Sequence, residues 1–354
     1  MKTLHIIGSK AMGGAERWFS RFVEALQRSG GDVHTVVRRD SELARFHLGD
    51  VDVKQLPMRT VWDPLSKLEV ARYVRRTGAP VVQTYMGRAT RLTRIPQGRG
   101  VVHIARLGGY YKLDGYRHAH AWVGNTRGLC DWLVSNGLPA ERVFHIYNFI
   151  VPAPPVADET VTALREQIGL APDDWALLTP GRFVPFKGHK YLIDALSRLP
   201  VEIDGRRLRL LMLGNGPLAD ALRMQASRLG VADRVVWCGW QQDPAAYFRV
   251  ADVVVFPSRD GETFGNVILE AWSYGKPLVA TAFRGAREIA RHGEDSWVVP
   301  CDDPDALARG IQQVLSDPGL QQDMVSAGSR RLQQEFSEAV IIDQYRDLYD
   351  SLTA

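Results

Sequence analysis

Residues 252–277 read DVVVFPSRDGETFGNVILEAWSYGKP, and the reading of this stretch decides the fold. The run from Asp252 to Ser258 is short, apolar and β-branched, which marks a buried strand. RDGET then supplies a polar exit loop, and FGNVILEAWSYG reads as a helix closed by Gly275 and Pro277. Strand, loop and helix in that order form the repeating unit of a parallel sheet with crossover helices.

The same alternation runs through the rest of the chain. LHII, VHTVV, VDVKQL, PVVQT, VVHIA and AWVGN read as strands before residue 150. WALLTP, LRLLML, RVVWCG, DVVVFP, PLVAT and SWVVP follow after it. Amphipathic stretches lie between them; in GAERWFSRFVEALQRSG, Trp18, Phe22, Ala25 and Leu26 share one face. The pattern predicts an α/β fold of two doubly wound, Rossmann-like domains facing a central cleft. A break is expected at YNFIVPAPPVADE, where three prolines fall within four residues. It divides a first domain, 1–152, from a second, 153–336, and the helical pattern of 337–354 is expected to pack back onto the first.

Composition narrows the function. The 354 residues suit two ordinary domains, and no apolar stretch approaches the roughly 20 residues that span a bilayer. No export signal is legible at the start, so a cytoplasmic location is expected. Cys130, Cys238 and Cys301 are odd in number and far apart, which supports neither a disulfide framework nor a zinc site; buried, reduced thiols are expected. Charge is uneven: residues 1–150 hold 23 Lys+Arg against 12 Asp+Glu, a net +11, whereas the remainder is −7. A basic first half suggests an anionic partner.

Ligands of doubly wound sheets bind beyond the carboxyl ends of the strands, so the exit loops carry the chemistry. In the quoted stretch Thr263 is a plausible N-cap, which would leave the amides of Phe264, Gly265 and Asn266 to meet an anion, with Gly265 permitting close approach. Glu262 and Glu270 flank that position, roughly 10 Å apart at helical rise. Carboxylates on either side of an anion site suit a ligand with hydroxyls at both ends and charge in the middle, as in a nucleotide sugar. LLTPGRFVPFKGHK places Arg182 and Lys187 in another exit loop, where two cations neutralise a diphosphate and stabilise charge developing on it. Gly13 and Gly14 precede the first helix and could bring amides to a pyrophosphate. Gly214 and Gly216, in LGNGP, suit the approach of a flat base.

Together ETFGNVILE, GRFVPFKG, MGGAE and LGNGP resemble the retaining nucleotide-sugar glycosyltransferases of glycosyltransferase family 4, with the GT-B fold. The resemblance covers nearly the whole chain, and the two glutamates separated by seven residues, with the upstream Arg/Lys pair, are its specific part. It implies that Glu262 holds hydroxyls of the transferred sugar, Glu270 the donor ribose, and Arg182 and Lys187 the donor phosphates. Many members carry a histidine after a strand in the middle of the first domain. Here VVHIARLGG presents Arg106 beyond the strand, as a candidate replacement, with His103 inside the apolar run as a core or lining residue.

No metal is expected. The literal D-x-D at Asp50-Val51-Asp52 continues into a half-exposed strand remote from the donor loops, and Asp303 reads as a helix start. No further cofactor is implied, since the nucleotide sugar is a substrate. RLGGYYKLDGYRHAHAWVGNTRGL resembles transferases of lipopolysaccharide core or surface polysaccharide, whose acceptor is an anionic glycolipid or saccharide.

The helix expected over 64–78 sets Leu65, Leu68, Val70, Ala71 and Val74 against Lys67, Arg72, Arg75 and Arg76. MGRATRLTRIPQGRG adds Arg88, Arg91, Arg94 and Arg99. These stretches could hold anionic headgroups, placing the protein peripherally on the inner face of the cell membrane. No nucleic-acid module accompanies the basic residues. A GT-B nucleotide-sugar epimerase and a non-catalytic nucleotide-sugar-binding protein remain as alternatives. An epimerase turns over donor without acceptor, and a binding protein releases no nucleoside diphosphate.

Overall fold

The computed structural model describes residues 1–354, which form two compact units: Met1–Phe149 with Ser337–Ala354, and Ile150–Phe336. The first unit is β1 (Lys2–Ile7), α1 (Gly14–Arg28), β2 (Asp32–Arg38), β3 (Asp52–Leu56), α2 (Pro64–Thr77), β4 (Val81–Tyr85), α3 (Met86–Leu92), β5 (Val102–Leu107), β6 (Ala121–Gly124), α4 (Arg127–Ser135) and β7 (Val143–His145). The second runs α5 (Asp158–Gln167), β8 (Trp175–Pro180), α6 (His189–Leu196), β9 (Glu202–Ile203), β10 (Arg206–Leu213), α7 (Ala219–Arg228), β11 (Val235–Gly239), α8 (Ala245–Val250) and β12 (Val253–Phe256). It continues as α9 (Asn266–Ser273), β13 (Leu278–Thr281), α10 (Ala286–Ile289), β14 (Trp297–Val299), α11 (Pro304–Leu315) and α12 (Pro318–Glu335). The terminal helix α13 (Glu338–Thr353) belongs to the first unit.

Each unit is a doubly wound sheet. The first has strand order β3-β2-β1-β4-β5-β6-β7, all parallel. The second has order β11-β10-β8-β12-β13-β14, also parallel, with short β9 antiparallel to β10. Helices cover both faces of such sheets, and the central strands β4, β8 and β12 are accordingly buried at every position. Strand order reverses between β1 and β4 in one unit and between β8 and β12 in the other. At each reversal the flanking helices leave on opposite faces and open a crevice at the strands' carboxyl ends.

α13 is tied into the first unit's core by Tyr345 and Tyr349, both fully buried, and Tyr349 Oη donates to Gln83 Oε1 at 2.9 Å. Arg28 holds Glu338 at 2.9 Å near the start of the same helix. His103 has the core placement expected of it: it is fully buried in β5, with Nε2 3.0 Å from Thr84 Oγ1, and burial pushes its pKa well below the usual value. Asp303 caps α11, accepting from the Ala306 amide at 2.9 Å.

Two sequence expectations are corrected here. In α2 the face turned to the core is Ser66, Val70, Tyr73, Val74 and Thr77, whereas Leu65 and Leu68 are 72% and 45% exposed. The apolar positions of this helix fit two stripes, and Tyr73, whose hydroxyl donates to Asp52 at 2.7 Å, pins the buried one. Of the three cysteines, all reduced, Cys130 is buried but Cys238 and Cys301 are only partly so.

Candidate active site

The β8–β12 reversal brings together most of the polar residues singled out from the sequence. Three exit loops interlock there through their backbones. The loop after β8 is bonded to the loop after β10: Gly181 N–H donates to Leu213 O at 2.9 Å, Phe183 N–H to Asn215 O at 3.0 Å, and Leu218 N–H to Phe183 O at 3.1 Å. It is also bonded to the loop after β12, by Arg259 N–H to Phe186 O at 2.8 Å. Glycines allow this closeness. A Cβ on Gly214 would lie 2.0 Å from Gly181 O, one on Gly216 would lie 2.6 Å from Phe183 O, and one on Gly188 would lie 1.8 Å from Pro257 O. The spacing of Gly214 and Gly216, read in the sequence as room for a base, is thus explained by the neighbouring loop.

Lys187 and Glu262 meet where the β8 and β12 loops touch. Lys187 Nζ lies 2.6 Å from Glu262 Oε2, and the two side chains are 17% and 16% exposed. The pair is an ionic contact without hydrogen-bond geometry, so the buried Oε2 has no hydrogen-bond partner. Lys187 also sits 4.9 Å from the centre of the Phe256 ring. Arg182 is exposed and has no acidic partner, and Glu270, half-buried on α9, has no bonded or ionic partner for its carboxylate. By contrast Arg259 is spent on Asp302, with Nε and Nη2 donating at 2.6 and 2.8 Å. That fork holds the Asp302 carboxyl below its usual range. His189, at the start of α6, is pushed down to about 3 by burial and then by Lys187, so it is neutral at any physiological pH. The cations left without a stable partner beside this loop cluster are therefore Arg182, fully, and Lys187, in part.

The start of α9 differs from expectation. Its N-cap is Gly265, in the left-handed region at φ 87°, and not Thr263. A Cβ at 265 would lie 2.6 Å from the Phe283 ring, and Gly285 presses on the Thr263 and Phe264 carbonyls. Packing from the β13 loop therefore fixes the turn, which delays the helix to Asn266. Thr263 and Phe264 are buried in that turn. The Phe264 and Gly265 amides therefore belong to the turn before the helix, and Ile268 N–H donates to Gly265 O at 2.9 Å.

In the first unit Gly13 caps α1, but its N–H donates to Glu16 Oε2 at 2.9 Å. Of the expected pair only Gly14 presents an uncommitted first-turn amide. Arg106 is also corrected: it lies within β5, not beyond it, and is 5% exposed. Its guanidinium stacks 3.5 Å over the Trp18 ring, donates through Nε to Tyr345 Oη at 3.3 Å and bonds Asn148. Those contacts make it a tie between sheet, α1 and α13. Asp52 is similarly committed, accepting from Tyr73 and 2.8 Å from His34 Nδ1; no group of three or more His, Cys, Asp or Glu residues is arranged to hold a metal ion. Sequence reasoning missed Phe186 and Gly261: a Cβ at 261 would lie 2.6 Å from the Phe186 Cβ, so glycine is what lets the turn before Glu262 lie against Phe186. Gly261 was a detectable signal, since a glycine one residue before an acid at a strand exit marks a close approach.

Two doubly wound units with loop chemistry at the sheet reversals define the GT-B class of α/β proteins. The same fold is seen in Anabaena HepE in complex with UDP and glucose (TM-score 0.85, 22% identity, 99% of this chain and 100% of that one) and in WaaG, a glycosyltransferase involved in lipopolysaccharide biosynthesis (TM-score 0.73, 17% identity, 99% of each). The family description "Glycosyl transferases group 1" matches residues 160–331. The chain is 33% identical to the lipopolysaccharide core biosynthesis glycosyltransferase LpsE of Rhizobium meliloti (strain 1021) over 355 residues, 99% of each chain. It belongs to the group 1 glycosyltransferases.

Proposed function

We propose that the protein is a retaining, metal-independent hexosyltransferase that uses a nucleotide-sugar donor bound by the second unit. The observation that carries this reading is the Lys187–Glu262 contact at the β8–β12 reversal, beside an unpaired Arg182 and an unpaired Glu270. A diphosphate would take Arg182 by its fork and draw Lys187 partly from Glu262. Glu262, whose buried Oε2 has no hydrogen-bond partner, would accept from hydroxyls of the sugar, and Glu270 from the ribose. As the glycosidic bond to the donor phosphate breaks, the leaving oxygen gains charge that the two cations stabilise in place of a metal ion. The acceptor hydroxyl would attack from the face the phosphate leaves, giving its proton to that phosphate, with Glu262 engaged by the sugar hydroxyls and not acting as a nucleophile. The relatives in lipopolysaccharide core synthesis support an anionic glycolipid or saccharide acceptor, handled at the cytoplasmic side of a membrane. No helix is long and apolar enough to cross one.

The test is incubation with a panel of UDP-, GDP- and ADP-sugars, first by thermal shift and then by product NMR. The fitting donor raises the melting temperature, and an α-configured donor gives an α-linked product at an unchanged rate in EDTA. Inverted configuration, or loss of activity in EDTA, would reject the respective half of the proposal. Epimerised donor formed without acceptor would reject transfer altogether. Glu270→Ala is expected to raise the Kd for the nucleoside diphosphate about tenfold or more, the value of one hydrogen bond to a charged group. Calorimetric titration measures it, with the ligand-free melting temperature unchanged.

A further inference from the structure

The two most exposed large apolar side chains of the whole protein are Trp62, at 80%, and Leu65, at 72%; Leu68 follows at 45%. Exposed apolar residues scattered singly need no explanation, but three within seven residues make one patch. Helical geometry gathers them. Leu65, Leu68, Arg72 and Arg75 recur at spacings of three and four along α2, opposite the buried stripe of Ser66, Val70, Tyr73 and Thr77. The turn before the helix carries Trp62 to its start.

Charge surrounds the patch. Arg59, Lys67, Arg72, Arg75 and Arg76 all face solvent within this stretch. The two acids among them are already engaged: Asp63 caps the helix, accepting from Ser66 N at 3.1 Å and Ser66 Oγ at 2.7 Å, and Glu69 is paired with Arg72 at 2.7 Å. An apolar tip that begins with tryptophan and is ringed by cations, of which Arg72 alone is paired with an acid of this helix, is what an anionic lipid interface complements. A second copy of the chain would set the same cations against each other. Position agrees with use: α2 leaves the carboxyl end of β3, which runs parallel to β2 and β1, so Trp62 and Leu65 lie at the sheet end that carries the β1 exit loop and Gly14.

We propose that the outer face of α2, with Trp62, Leu65 and Leu68 entering the acyl boundary and Lys67, Arg75 and Arg76 meeting headgroups, docks the enzyme on an anionic membrane. The inference rests on the reading of a lipid-linked acceptor, which such docking would present to the first unit's loop end.

The experiment is co-sedimentation of the full chain with phosphatidylcholine vesicles and with phosphatidylcholine–phosphatidylglycerol vesicles, at low and high salt. Preferential binding to the anionic vesicles, weakened by salt, is expected. Leu65→Glu/Leu68→Glu should weaken it about tenfold or more, and Lys67→Ala/Arg75→Ala about fivefold for each cation removed. Both variants alter exposed positions and should keep the wild-type melting temperature and the wild-type rate of nucleotide release from donor. Equal binding to both vesicle types, or wild-type binding by the Leu→Glu pair, would overturn the proposal. So would a dimer in light scattering that the Leu→Glu pair dissolves while neither protein binds vesicles. If wild type ignores vesicles yet transfers sugar to acceptor, docking alone is lost; if it neither binds nor turns over any donor, the functional reading fails independently of the vesicle result.

Discussion

Lys187→Ala lowers the rate of sugar transfer by about 100-fold or more while the protein stays folded. The magnitude is that of removing one preorganised donor from a site where charge develops, typically two to three orders in kcat. Of the two cations proposed to meet the diphosphate, Lys187 is the one that also touches Glu262, whereas Arg259 is forked onto Asp302 and Arg287 lies 3.1 Å from Asp260. The loss should fall mainly on kcat, with nucleotide affinity reduced less, since Arg182 still binds the diphosphate. A second consequence follows from the 2.6 Å contact. Without Lys187 the largely buried Glu262 carboxylate loses the contact that holds it in place for sugar hydroxyls. Lys187→Ala and Glu262→Gln should therefore combine to much less than the product of their separate effects, as residues acting as one unit do. Lys187→Arg restores charge but not the compact ammonium and should recover only part of the rate. Steady-state kinetics of nucleotide release on wild type, the two single variants, their double and Lys187→Arg decides it. An undiminished kcat in Lys187→Ala removes the phosphate role, and strict additivity removes the coupling.

The fold was legible because its signals are local. Asp252–Ser258 is an apolar run followed by a glycine-bearing loop and a helix closed by Gly275, and each feature follows from neighbours in sequence. The positions of Lys187 and Glu262 were legible for the same reason, since each sits at a strand exit and the doubly wound order fixes where exits go. What could not be read was set by distant partners. Arg106 looks like a cation beyond a strand until Tyr345, 239 residues away, and Trp18 claim it. Thr263 has the chemistry of a cap, but Phe283 and Gly285 decide that the helix starts after Gly265. Leu65 and Leu68 satisfy helical periodicity as well as Val70 and Val74 do, and only the sheet beneath α2 selects between the stripes. The contact between Lys187 and Glu262 itself lies 75 positions apart in the chain and was not foreseen, although both residues were.

Gly188→Ala should be the most damaging single-methyl change near the site. Two costs add. At φ 69° the backbone is left-handed, which charges an L-residue about 1–2 kcal/mol. The new Cβ would also stand 1.8 Å from Pro257 O, which is main chain at the exit of β12 and cannot rotate away. Overpacking of this kind costs a further 1–3 kcal/mol, roughly. For a unit of this size the sum corresponds to a fall in melting temperature of roughly 10 °C. Gly205→Ala separates the terms, because Gly205 has φ 73° but open space around its missing Cβ. It should show the backbone cost alone, about half the shift or less. Relief of the collision would push the β8 loop from the β12 loop, parting Lys187 from Glu262, so Gly188→Ala should also lose transfer activity at temperatures where it remains folded. Gly205→Ala should not. Equal melting shifts in the two variants would show that the loops are not wedged at Pro257, and full activity in Gly188→Ala would show that the spacing of Lys187 and Glu262 does not depend on that wedge.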